Sequence, residues 1–145
     1  MRIAFDKKSR RFSATTRSPF LYRRWSTKDG AQMVDIPRLW AIAEKHVPLP
    51  KMKGFGTDWT NDDFLYGIVF DGDVPPALLS EARRAFPDIR LDKTYELPAK
   101  FQSVRKGNEK DMGRMYEEIW SKGPLKHELE EDLEPGKCTI KVNYV

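Results

Sequence analysis

The densest chemistry-bearing run in this chain is HELEEDLE, His127 to Glu134, where five carboxylates follow a histidine. Carboxylates at this density can act as general acids or bases, as counter-ions for a bound cation, or as an acidic face for a basic partner. A charge run is most often a solvated face, and that is the plain expectation here. The only histidines, His46 and His127, are too few and too far apart for a metal centre, so no metal and no cofactor is expected. Each reads as an exposed or capping side chain. Cys138 is the single cysteine, which excludes an internal disulfide and a thiolate cluster, and its place in the last segment predicts a buried, inert thiol. No GxSxG motif supports a nucleophilic serine. Nothing in these residues requires an enzyme, and no catalytic residue is assigned. What remains abundant is aromatic surface: four Trp, five Tyr and eight Phe, enough to wall a site as well as fill a core.

The elements that position these groups belong to one domain, residues 1–145, a length that supports a single core. Hydrophobic residues make up 39% and charged residues 33%, too much apolar mass for a disordered chain. No apolar window reaches the ~20 residues of a membrane helix, and MRIAFDKKSRRF lacks the apolar stretch of a signal peptide, so a cytoplasmic protein without membrane contact is expected. The 26 basic and 22 acidic side chains give a net charge of +4, a weak nucleic-acid signal. Basic residues gather in the first third (Arg10, Arg11, Arg17, Arg23, Arg24) and acids near the end, so there is no continuous basic stripe and direct DNA binding is not expected.

Along the chain, RRFSATTR reads as a strand ended by a turn at Pro19, and FLYRRW as a second extended piece. Ile36, Leu39, Trp40 and Ala43 recur at helical spacing, which predicts a helix from about Asp35 to His46 with Asp35 as N-cap and Pro37 in its first turn. The Gly54 and Gly56 region through Trp59 reads as a loop or short strand, and FLYGIVF, 64–70, as a buried strand closed by Asp71-Gly72-Asp73. PPALLSEARRAF reads as a short amphipathic connector helix, and TYELPAKFQSVRKG as one strand with an irregularity at Pro98. Met112, Met115, Tyr116 and Ile119 form the apolar stripe of a helix capped by Asn108. CTIKVNYV alternates as a half-buried final strand.

An internal repeat emerges from short matches in constant order. Arg23-Arg24 and Lys28-Asp29 match Arg105-Lys106 and Lys110-Asp111 at one offset; Arg38-Leu39-Trp40 matches Arg114-Met115-Tyr116, and GIVF matches KVNY. Each half then reads strand, helix, strand, strand. The expected fold class is α+β: two pseudo-symmetric β-α-β-β repeats, about 1–73 and about 93–145 around a connector at about 74–92, forming one antiparallel sheet with both helices on one face.

The second half carries a family likeness. Leu97-Pro98-Ala99 leading to Arg105-Lys106-Gly107, a helix with Tyr116 and Trp120 spaced as aromatic-x-x-x-Trp, then Pro124 followed by Glu128, resembles the GyrI-like family, the bacterial transcription-activator effector-binding fold. The sharper motifs lie within 95–145, and the order of elements extends the likeness over most of the chain. Here WSKGP is shorter than the Trp-Leu-Pro-Ser-Gly-Tyr stretch of typical members, and Glu130 stands where an aromatic is expected. The resemblance implies a stand-alone member that binds bulky, often cationic or planar molecules in a groove between the repeats. Other members are effector domains fused to DNA-binding domains, or resemble gyrase inhibitors and hydrolases of cyclopropane-bearing compounds.

In such a site aromatic faces hold a flat cation, worth roughly 0.5–2 kcal/mol per contact, while a poorly solvated carboxylate matches its charge. The residues expected to line it are Trp59, Tyr66, Tyr116 and Trp120 as walls and Glu128 as the anion, with Glu130 or Glu96 as the other candidate carboxylates. Tyr116 and its repeat counterpart Trp40 also fit a core role, and Trp120 sits beside a Gly-Pro loop. The expected activity is therefore capture of a hydrophobic, cationic small molecule. The alternatives are hydrolysis of an electrophilic, cyclopropane-type compound through Glu128 and Trp120, and a gyrase-inhibitor-like contact with a basic protein through the 127–134 segment. An axial haem ligand at His127, which a related fold would allow, is the weakest of these readings.

Overall fold

The computed structural model describes residues 2–6, 11–132 and 135–145, with side chains from Arg17 onward; Arg10 and Glu134, and the side chain of Arg11, lie outside the described residues. The fold is α+β. Its strands are β1 (Arg2–Asp6), β2 (Arg11–Ser26), β3 (Met52–Thr57), β4 (Asp63–Phe70), β5 (Arg90–Leu97), β6 (Ser103–Asn108), β7 (Leu125–Glu131) and β8 (Lys137–Tyr144); its helices are α1 (Gln32–Glu44), α2 (Pro76–Ala85) and α3 (Met112–Trp120). The strands form an eight-stranded sheet in the order β1-β2-β4-β3-β7-β8-β6, with β5 on the free side of β2, and the pairings are antiparallel.

Several boundaries differ from the sequence expectation for local reasons. Pro19 does not end the first strand: the β2–β5 register shifts between Ser18 and Phe20, and this irregularity accommodates a residue with no N–H to donate. Helix α1 begins at Gln32 behind a 3-10 turn, Lys28–Gly30, so Asp35 lies in its first turn rather than at its cap and Pro37 falls beyond that turn. A second 3-10 turn, Glu109–Asp111, separates Asn108 from α3, and Asn108 makes no side-chain cap bond. At Pro98 the single strand expected over TYELPAKFQSVRKG divides into β5 and β6, which stand at opposite edges of the sheet.

Antiparallel partners in register project to the same side, and Tyr66, Gly56, Glu128 and Val142 form one such row across β4, β3, β7 and β8. On that side Leu39, Ile42 and Ala43 of α1 pack with Trp25, Met52, Ile68, Phe70 and the α2 residues Leu78 and Ala82. Met115 and Ile119 of α3 pack with Cys138, Ile140 and Val142. All three helices therefore cover one face. The opposite face carries a core of its own, Phe20, Phe55, Val69, Leu97 and Leu129, flanked by Tyr22, Leu65, Tyr95 and Phe101. Segment 98–102 runs along that face and is tied to β8: Gln102 N–H donates to the Val142 carbonyl and Asn143 Oδ1, and Asn143 Nδ2 donates to the Lys100 carbonyl.

Candidate functional site

Helix α1 lies against β2 and α3 against β6, on either side of the central pair β3–β7. On its helix-facing side β3 presents Gly54 and Gly56, which leave room for rings above the strand. A Cβ at Gly54 would stand 2.4 Å from the Tyr66 hydroxyl, and one at Gly56 would stand 3.1 Å from the Trp59 ring. Opposite these glycines, β7 places Glu130 beside Gly54 and Glu128 beside Gly56. The result is a strip of aromatic rings and carboxylates between the two helix-covered cores.

Four of the five expected site residues meet on this strip. The Tyr116 hydroxyl donates to Glu130 Oε2 at 2.5 Å, and Glu128 is the next carboxylate along the same face of β7. Tyr66 lies buried with its hydroxyl accepting from Trp40 Nε1 at 2.9 Å. Trp59 is half-buried, stacked on Phe64 at 6.0 Å, and touches both helix-side cores. Trp120 stands apart: it remains 59% exposed and reaches the strip only through a tilted contact with Tyr116 at 5.5 Å. Of the three candidate carboxylates, Glu128 and Glu130 converge, whereas Glu96 is exposed and pairs with Arg17 at 3.6 Å. Trp40, expected in the core as the counterpart of Tyr116, completes the strip together with Gly54, Gly56 and Asp132, which were not expected to line a site. The alternation of Glu128, Glu130 and Asp132 along HELEED is the signal that points to them, and it becomes legible once that segment is a strand.

Burial dominates the electrostatics. It pushes the Glu128 carboxyl up to about 7, against the lowering effect of the Tyr116 hydroxyl and with a further rise from the charge of Glu130. Burial likewise raises Glu130, whose bond to Tyr116 lowers it while Asp132 and Glu109 add repulsion; Asp132 is raised by burial and by Glu109 and Glu44. The Tyr116 and Tyr66 phenols are raised by burial, so both stay neutral at physiological pH.

The acidic run is not the solvated face its composition predicts: Glu128, Glu130 and Asp132 are part-buried and Glu131 is 5% exposed. The two parities of the strand are treated differently. Glu131, on the opposite face, lies 3.2 Å from Lys53 Nζ and 3.0 Å from Lys141 Nζ. Burial alone would raise its pKa, but the hydrogen bond from Lys141 and the charge of Lys53 hold it below the ordinary carboxylate value. His127 shares this opposite face, stacked near Phe55 at 6.0 Å with its Nδ1 accepting from Asn143 Nδ2, and burial lowers its pKa. It points away from the strip, which removes it as an axial ligand there. His46 is half-buried and pairs with Glu81 at 3.3 Å rather than capping a helix. Cys138 is buried beneath Met115, its Sγ 3.9 Å from the Met115 sulfur, and burial raises the thiol. Among the described residues no group of three or more His, Cys, Asp or Glu is arranged to hold a metal ion, and no helix is long and apolar enough to cross a membrane.

No protein-family model matches the chain, and no curated protein sequence matches it. Among solved structures, a hydrolase from Listeria innocua is similar over 89% of each chain, with 15% identity and a TM-score of 0.41.

Proposed function

We propose that this chain is a small-molecule-binding protein of the GyrI-like type, which captures hydrophobic cations in a groove between two β-α-β-β repeats. One observation carries the reading: Glu128 and Glu130 lie part-buried beside Tyr116 among aromatic rings, with no lysine or arginine of the described residues among the charges that act on them. Carboxylates withdrawn from water without a cation are costly, and a ligand that supplies one relieves that cost while its apolar surface meets Tyr66, Trp59 and Trp40. The repeat is supported by the pairing order. Read inward from the two sides, β2-β4-β3 and β6-β8-β7 have the same sequence of strand, post-helical second strand, post-helical first strand. The matched triplets also place Trp40 on α1 and Tyr116 on α3, and each sends its polar atom onto the strip.

The test is a thermal-shift and calorimetric titration with tetraphenylphosphonium and ethidium. Saturable stabilisation is expected for at least one, with affinity rising between pH 5 and pH 8 as Glu128 ionises, and loss of binding in a folded Glu128→Gln variant. Binding by neither cation, or equal binding by the variant, overturns the reading. A carboxyl near 7 also suits a general base, which favours a second reading as a hydrolase of electrophilic small molecules. Turnover of a cyclopropane-bearing substrate beyond one equivalent separates catalysis from capture.

A further inference from the structure

The anionic side of β7 extends past the pair beside Tyr116. Glu128, Glu130 and Asp132 follow one another at alternate positions, and the charges acting on the last two come from further acids, Glu109 and Glu44. Asp132 Oδ1 is buried with no hydrogen-bond partner among the described residues. Between the ends of this row, the Tyr66 side chain, only 9% exposed, holds its hydroxyl over Gly54. That hydroxyl accepts from Trp40 and has no acceptor for its own hydrogen among the described residues. A buried donor and a buried carboxylate oxygen are both left unspent, and each costs free energy until something meets it.

A single ammonium at Glu128 and Glu130 leaves Asp132 unanswered. Resting on the reading of the strip as a cation site, we propose that its ligand is an elongated dication. One cationic group lies between Glu128 and Glu130 against the aromatic rings. A second lies about 10 Å further on, at Asp132 just past the end of β7, where the charges of Glu109 and Glu44 reinforce it. The segment joining them runs beside Tyr66 and offers a lone pair to its hydroxyl.

Three probes test this by calorimetry at pH 8: 1-naphthylmethylamine, its N-(8-aminooctyl) derivative, and the same chain with two methylenes replaced by ether oxygens. The octyl dication is expected to bind at least tenfold more tightly than the monocation. That gain, taken in each protein as the ratio of dication to monocation affinity, should vanish in Asp132→Asn and shrink in Glu109→Gln, both folded by circular dichroism. The ether chain should bind more tightly than the octyl chain in the parent protein but not in Tyr66→Phe. Monocation binding with no gain for the dications, or a gain that survives Asp132→Asn, overturns the dication and leaves the cation site standing. Equal affinity of the two dications overturns the role of Tyr66. Binding of none of the three, together with failure of tetraphenylphosphonium and ethidium, overturns both.

Discussion

At the scale of single residues, β7 divides one acidic run into two electrostatic environments. The Glu128 carboxyl ionises near 4.5 when the chain is unfolded and near 7 when folded, so between those values the folded state holds the extra proton. Stability contributed by that proton is complete below about pH 4.5 and is lost as pH rises through 7. Glu128→Gln should therefore gain stability over the parent as pH increases, reaching on the order of 3 kcal/mol above pH 7, and thermal unfolding across pH 5 to 8 checks it. Glu131 has the opposite sign: its depressed pKa contributes stability above about pH 4.5 that is lost as pH falls through the folded value. Lys141→Met, which leaves that buried carboxylate with Lys53 alone, should cost roughly 1–3 kcal/mol at pH 7 and less at pH 3, measured by urea unfolding. The two carboxyls were hard to separate from composition because neighbours in the run have the same chemistry. Only the two-residue period of a strand sends Glu128 and Glu131 to different faces.

At the scale of elements, the apolar periodicities were legible where the side chains pack as their spacing implies. The α3 stripe buries Met115 and Ile119, and FLYGIVF is a buried strand. The misread boundaries fall where tertiary pairing overrides a local breaker. Pro19 is carried through β2 because partners on both sides hold the strand, and Pro98 breaks a strand because β5 and β6 belong to different edges. Strand β7 was obscured by its acids, since a segment of glutamates has low intrinsic strand preference. Its apolar residue facing away from the helices, Leu129, packs with Phe55 in the second core, a layer that short-range pattern does not reveal. Truncation there tests whether this layer bears on stability: Phe55→Ala should cost about 3–5 kcal/mol and Leu129→Ala about 2–5 kcal/mol in chemical denaturation. Losses below 1 kcal/mol would mean that the helix-side cores alone hold the sheet.

At the scale of the whole molecule, the β3–β7 pairing is the hydrogen-bonded seam through the middle of the sheet. Trp59 touches the helix-side cores on both sides of that seam, and Phe55 and Leu129 close it from behind. The 98–102 segment adds a covalent tie across the same boundary. Unfolding should therefore be a single transition: tryptophan fluorescence, to which Trp25 and Trp40 contribute from the α1 side of the seam, and far-ultraviolet circular dichroism should give coincident urea midpoints. Separate midpoints would show that the two sides of the seam are independent. The α+β class was readable from the chain because it rests on local pattern, whereas β1 and the division of β5 from β6 were not. The convergence of Tyr66, Tyr116, Glu128 and Glu130 was readable only in part, because it depends on which strands meet at the centre.

The bare backbone at Gly54 and Gly56 bears on how a lineage carrying this fold can drift. A methyl group at either position meets an occupied ring or hydroxyl, at 2.4 Å from Tyr66 and 3.1 Å from Trp59. A side chain at Gly54 requires the Tyr66 hydroxyl to move, and one at Gly56 requires the Trp59 ring to give by a few tenths of an ångström. Once the aromatic is smaller, a side chain on β3 can fill the vacated space and block the return of the larger ring. In descendants of this protein, positions 54 and 66 should therefore change together or not at all, with a weaker coupling between positions 56 and 59, and a pair that has changed should rarely change back.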